Sequence, residues 1–309
     1  MSQSDSVRYV IGAMQPIDPE YTRNTYAQGN RVKEQLDSRL RQQCDYEYQG
    51  STTNHTHIKA ASDIDLLVLT QQFWTLEPPQ QANPPYTGDP VQDLIDLRTQ
   101  SIVALGDAFP SAKVDSTGSK SIVITGGSLT RKVDVVPSNW YDTNKYANTG
   151  IPFHRGVQIL DVGSRTRVTN TPFLHNARIA QRDRETGGGL RKAARLMKSL
   201  KYDSESIDLS SYDIVSIAYN IPSLTLSLPK EKDLAILAAC LDYCHTLRDD
   251  PQLRSSITVP DEHRKVFAAG HATNTGLMQL TVELERLTTD VLRENQRSFR
   301  KLAEARVDY

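Results

Sequence analysis

Little in this chain points away from the compartment in which it is made. Three cysteines among 309 residues, Cys44, Cys240 and Cys244, are too few for a disulfide framework. Cys240 and Cys244 stand one helical turn apart and read as small core residues. No basic segment leads into an apolar run at the N-terminus, and no stretch of 18 apolar residues occurs, so neither a leader nor a membrane span is expected. An excess of either charge is also missing: 36 basic residues stand against 37 acidic ones, a net charge of -1. Coating of nucleic acid needs a clear basic surplus, so any handling of polyanions should be local. There is no internal repeat and no low-complexity segment. A cytoplasmic globular protein of one large or two ordinary domains is expected.

What is present divides near residue 170. Residues 19–43 carry Val32, Leu36 and Leu40 at i, i+4, i+8 among charges, the pattern of a long amphipathic helix. A strand over Ile64 to Leu69 follows. Residues 74–90, with five prolines and a glycine, read as a surface loop. A helix is expected from Val91 to about Ala108, then hairpin strands with turn signals at Thr117-Gly118 and Gly126-Gly127. Their last strand, Lys132 to Val136, holds Asp134 between two valines. From about residue 171 helical segments dominate, one of them starting after the glycines of TGGGLRKAARLMK. A mixed lobe, residues 1–170, followed by a helical lobe, residues 171–309, is the α+β organisation expected, with a ligand cleft at the junction.

The chemistry concentrates in ASDIDLLVLT, residues 61–70. On a strand Asp63 and Asp65 share one face with Ile64 turned opposite. Like charges held so close resist burial unless something positive lies between them, and carboxylate oxygen is the hard ligand that magnesium prefers. Gly50-Ser51 lies twelve residues before Asp63. Gly50 lets backbone approach an anion; Ser51 adds a hydroxyl and, if a helix starts there, unpaired amides for phosphate. Asp134 completes a three-carboxylate set able to hold two metal ions around an in-line displacement at phosphorus, and is the candidate acceptor for the proton of an attacking hydroxyl. Each feature has a plainer alternative. A lone DxD is often a solvated turn, and Gly118-Ser119 and Gly127-Ser128 read as hairpin turns. His55 and His57 read as incidental in a polar loop, and His154, His175 and Asp161 show no constellation.

Taken together, GSTTNHTHIKAASDIDLLV and RKVDVVP resemble the DNA polymerase β superfamily of nucleotidyltransferases. RLMKSLKY and SSYDIVSIAYNI resemble the helical lobe of the cyclic GMP-AMP synthase and oligoadenylate synthase branch. THIKAASDID and TPFLHNARI…TGGGLRKAARLMK resemble its bacterial relatives, the cGAS/DncV-like nucleotidyltransferases (CD-NTases) of antiphage signalling. The similarity spans roughly residues 45 to 220. It implies a polymerase-β-like lobe with a mixed sheet and flanking helices, then a helical lobe, with the active site in the cleft. It also implies two magnesium ions, replaceable by manganese, on Asp63, Asp65 and Asp134. Gly50 and Ser51 would hold the donor triphosphate, Lys198 and Ser211 would reach it from the helical lobe, and Tyr212 would stack on the donor base. A lysine as a point charge suits phosphate and an aromatic face accepts any base; without the resemblance, Lys198 reads as a solvated helix charge and Tyr212 as a core aromatic.

The activity implied is the joining of nucleoside triphosphates into a cyclic di- or trinucleotide second messenger of CBASS-type antiphage defence, sensed by a downstream effector. No Cys/His cluster interrupts residues 135 to 215, so the zinc insertion of the animal enzyme is missing and no double-stranded DNA activator is expected. No membrane partner is expected either, and a monomer is preferred. The alternatives are an RNA-tailing or small-molecule nucleotidyltransferase, for which a basic track would speak, and a non-catalytic nucleotide-binding module, for which a missing carboxylate would.

Overall fold

The computed structural model describes residues 5–60, 63–229 and 232–307, without the side chains of 295 and 297–307. Seven strands are formed: β1 Cys44–Gln49, β2 Ile64–Leu76, β3 Lys113–Asp115, β4 Ile122–Gly126, β5 Leu129–Asp142, β6 Gly156–Asp161 and β7 Thr166–Asn170. The helices are α1 Asp5–Met14, α2 Pro19–Arg39, α3 Pro90–Ala108, α4 Asn144–Thr149, α5 Pro172–Glu185, α6 Gly189–Asp203, α7 Ser211–Asn220, α8 Ser223–Leu226, α9 Ala235–Asp249, α10 Pro251–Ser256 and α11 Asn274–Val307. The chain forms two compact units, Ile17–Ala177, and Met1–Pro16 together with Arg178–Tyr309.

In the unit Ile17–Ala177 the sheet runs β1-β2-β5-β4-β3, with β6 on β5 and β7 on β6. Every pairing is antiparallel except β2 on β5. Both long strands outrun the sequence expectation. Beyond Thr70 a register shift lets Trp74, Thr75 and Leu76 pair with Trp140, Tyr141 and Asp142, so the strand runs on to Leu76, inside the segment 74–90 expected as loop. The antiparallel β6 and β7 extend the sheet from the second half of β5. Helices α2 and α3 begin alike, with Asp18 and Asp89 accepting backbone N–H groups and a proline at the first turn, a pairing that suits a helix start.

One face of the β2–β5 pair is closed by these helices. Ile64, Leu66 and Val68 of β2 and Val133 and Val135 of β5 pack with Val32 and Leu36 of α2 and with Leu94, Leu97 and Leu105 of α3. Leu67, Leu69 and Val136 point to the other side, where Val157, Ile159, Trp140 and Phe173 meet them. The five apolar residues Ile64, Leu66, Leu67, Val68 and Leu69 are all fully buried, each contributing on the order of 1.5–3 kcal/mol. A slip of one residue would turn Asp65 into the helix-covered core, so this burial specifies the register.

The other unit is helical and centres on α6, whose Leu190, Ala193, Ala194, Leu196 and Met197 lie in one core with residues of α1, α7, α9 and α11. The sequence boundary at 170 left residues 1–16 with the strands. They group instead with the helices, because Val7, Val10 and Met14 of α1 are buried in that core. The end of α1 is tied down by Arg195, whose Nε and Nη2 donate to the carbonyl of Met14 at 2.9 and 2.7 Å; burial pulls its guanidinium down to about 10. Gly187 and Gly188 take positive φ and a Cβ on Gly189 would strike the Leu226 carbonyl, so the triple glycine is a close-packed joint. Cys240 and Cys244 are buried in the same core, as expected.

Candidate active site

Asp65 lies directly beside Asp134 in the parallel register of β2 and β5. Because side chains alternate, Asp63 and Asp65 face the side away from α2 and α3, and so do Lys132 and Asp134. The four residues therefore form a two-by-two array, Asp63 next to Lys132 and Asp65 next to Asp134. Lys132 Nζ lies 2.7 Å from Asp63 Oδ2 and 3.1 Å from Asp134 Oδ2. The Oδ1 atom of Asp134 is buried and has no hydrogen-bond partner. Among the described residues no group of three or more His, Cys, Asp or Glu is gathered as a metal cluster; the cation set between these carboxylates is the lysine ammonium.

The electrostatics follow from burial and crowding. Asp65 is pushed up to about 7, first by burial and then by the charges of Asp63 and Asp134, with Lys132 pulling the other way. Asp134 is also raised, burial outweighing the attraction of Lys132. For Lys132 burial favours the neutral amine, but the hydrogen bond to Asp63 and the charges of Asp63 and Asp134 raise it overall. The array is short of positive charge, which is the condition a divalent cation relieves.

Gly50 closes one side. It follows β1 directly, where Gln49 pairs with Asp65, and it takes φ +85°. A Cβ there would collide with Asp65 Oδ2, so only glycine brings the backbone this close to the carboxylate. Ser51 begins a turn over residues 51–55, not the helix that would have offered unpaired amides. Instead the amides of Thr56 and His57 donate to the Ser51 carbonyl at 3.0 and 3.2 Å. The turn is fastened to the main chain around the site: Thr52 Oγ1 donates to the Asp63 carbonyl at 2.9 Å and Thr53 Oγ1 to the Gly50 carbonyl at 2.7 Å. Asn176 Nδ2 donates in turn to Thr53 Oγ1 at 3.0 Å. His57 is buried, with Nε2 3.1 Å from Thr22 Oγ1 of α2, an anchor for the loop.

Lys198, Ser211 and Tyr212 belong to the helical unit. Lys198 is 3% exposed, which removes the reading of a solvated helix charge. Ser211 is exposed on the first turn of α7, which a reciprocal capping box of Ser210 and Asp213 starts. Tyr212 Oη lies 3.4 Å from Asp261 Oδ1 and the Arg264 guanidinium stands 5.1 Å from its ring centroid. Burial and Asp261 raise its hydroxyl well above the ordinary tyrosine range.

Sequence reasoning missed Lys132, Thr52, Thr53 and Asn176. The signal for Lys132 was the one already used for the DxD: it stands two residues before Asp134 and therefore shares its face.

No model of a protein family matches the chain. It is 38% identical over 294 residues to the cyclic dinucleotide synthase CdnE of Yersinia aleksiciae, an alignment covering 94% of this chain and 77% of that protein. The chain belongs to the CdnE family of cyclic dinucleotide synthases. A second relative, a c-di-GMP synthase of a Lachnospiraceae bacterium (strain RUG226), is 32% identical over 286 residues, covering 84% of this chain and 82% of that protein. The fold agrees. The solved structure of the STING-associated CdnE c-di-GMP synthase from Capnocytophaga granulosa superposes with a TM-score of 0.78 at 31% identity, covering 94% of this chain and 88% of that one. The α+β nucleotidyltransferase fold expected from the resemblance is therefore the fold of this CdnE-family chain, and the chain is an enzyme, a nucleotidyltransferase that makes a cyclic oligonucleotide. The RNA-tailing, small-molecule and non-catalytic alternatives fall away.

Proposed function

We propose that this CdnE-family enzyme joins two molecules of GTP into cyclic di-GMP, releasing one pyrophosphate at each of two phosphodiester-forming steps. The guanine reading is supported by the names of the Lachnospiraceae relative and the Capnocytophaga structure, both c-di-GMP synthases. The STING association of the latter supports a signal in CBASS-type antiphage defence, sensed by an effector of that kind. The observation that carries the chemistry is the parallel register that sets Asp65 beside Asp134.

The residues suit a divalent cation. Three carboxylates supply hard oxygen donors, Asp134 Oδ1 is buried without a partner, and the array already draws a cation to itself in the form of Lys132. Asp63, Asp65 and Asp134 are assigned to magnesium, two ions with manganese as substitute, which when bound would neutralise the triphosphate and polarise the reacting oxygens. Asp134 Oδ1 is assigned to accept the proton of the attacking ribose hydroxyl. Gly50 keeps the backbone against the carboxylates, and Ser51 offers its hydroxyl to the donor phosphates. Lys198 and Ser211 are assigned to the same phosphates, and Tyr212, already engaged by Arg264, to the donor base.

Pure protein incubated with the four radiolabelled nucleoside triphosphates and magnesium or manganese, then treated with phosphatase and resolved by chromatography, tests this. A phosphatase-resistant product from GTP alone, lost in Asp63→Asn, is the expected result. A product that needs a second nucleotide would overturn the guanine assignment while leaving the cyclase intact. No resistant product under either metal would contradict the site itself.

A further inference from the structure

Lys132 holds the position that defines this site. Its ammonium touches Asp63 and Asp134 at once, at 2.7 and 3.1 Å, and a divalent cation bound by those two oxygens would occupy the same space. We propose that Lys132 is a built-in counter-ion, which holds Asp63 and Asp134 together until a divalent cation displaces it and therefore lowers the affinity of the site for metal alone. This rests on the assignment of the three carboxylates to metal.

Geometry and exposure support the role. Lys132 and Asp134 are two residues apart on β5, so the lysine is on the carboxylate face by construction. Its side chain is 41% exposed against 15% for Asp134, so a route to solvent is open and displacement does not require the strand to move. A pair this exposed adds little to folding; what it supplies is positive charge where three carboxylates converge. A metal arriving by itself must evict that charge. A metal arriving on a triphosphate brings anionic oxygens that the displaced ammonium can meet, as a lysine does in many phosphate sites. The site is thereby biased toward the metal–nucleotide complex over the bare ion.

The test is manganese binding to the full chain without nucleotide, by electron paramagnetic resonance of the unbound ion, in wild type, Lys132→Met, Lys132→Arg and Lys113→Met. Lys113, 3.4 Å from Asp115 on β3, controls for the loss of one positive charge. Lys132→Met is expected to bind manganese roughly tenfold tighter or more, since an opposing unit charge a few ångströms away is removed, and Lys132→Arg and Lys113→Met to bind as wild type does or more weakly. Thermal unfolding adds a second readout: Lys132→Met should gain more in melting temperature than wild type does on adding manganese. Equal or weaker binding in Lys132→Met overturns the inference while the metal assignment stands. Failure of both wild type and Lys132→Met to bind at all overturns the metal assignment and the inference with it.

Discussion

The two faces of the β2–β5 pair do opposite work. One presents Ile64, Leu66, Val68, Val133 and Val135 to α2 and α3 and is closed to water. The other, at the same residues' neighbours, presents Asp63, Asp65, Lys132 and Asp134, charge gathered where desolvation is unfavourable. Stability lies on the first face and is spent on the second, so that carboxylates which repel one another are held in one register. Functional sites are where such local conflict is expected. The practical consequence is that neighbouring residues on one strand should fail in different ways when changed.

The largest effect should come from Asp65→Asn. It is expected to lower turnover by about a thousandfold or more, the scale on which a group acting on developing charge is felt, while the melting temperature holds or rises because like-charge crowding is relieved. Turnover and thermal unfolding of one preparation check it, and a parallel loss of stability would break the contrast. Gly50→Ala comes next, with an activity loss of about a hundredfold and a stability cost of about 1 kcal/mol for the left-handed conformation, plus whatever the Asp65 carboxylate must give. Leu66→Ala, one residue from Asp65 but on the helix-covered face, should cost about 2–5 kcal/mol in denaturant unfolding and leave turnover per folded molecule near wild type. Asp89→Ala removes the acceptor at the start of α3 and should cost about 1 kcal/mol with no effect on the product formed.

Much of this contrast was legible in ASDIDLLVLT. Alternation separates Asp63 and Asp65 from Ile64, and the apolar run marks a strand buried on both sides. The glycine before Ser51 was legible too, though its reason, contact with Asp65, was not. What the sequence could not show was pairing. Nothing local says that β2 lies parallel to β5 or that Asp65 stands beside Asp134. The same blindness shortened both strands: Trp74 to Leu76 and Trp140 to Asp142 are extended because they pair with each other. Lys132 passed as one lysine among many, since its meaning depends on Asp63 arriving beside it. In the helical unit, the dominance of helical segments after about residue 171 was readable, whereas α1 acquires its place through burial of Val10 and Met14 against distant helices.

Asp134→Asn tests the central claim most directly, because it changes a single oxygen on the carboxylate face and leaves the opposite face as it is. Product formation from GTP with magnesium, measured with the melting curve of the same sample, should show the phosphatase-resistant product lost and the unfolding transition kept within a few degrees of wild type. A variant that still makes the product at a rate near wild type would contradict the assignment of this face to catalysis.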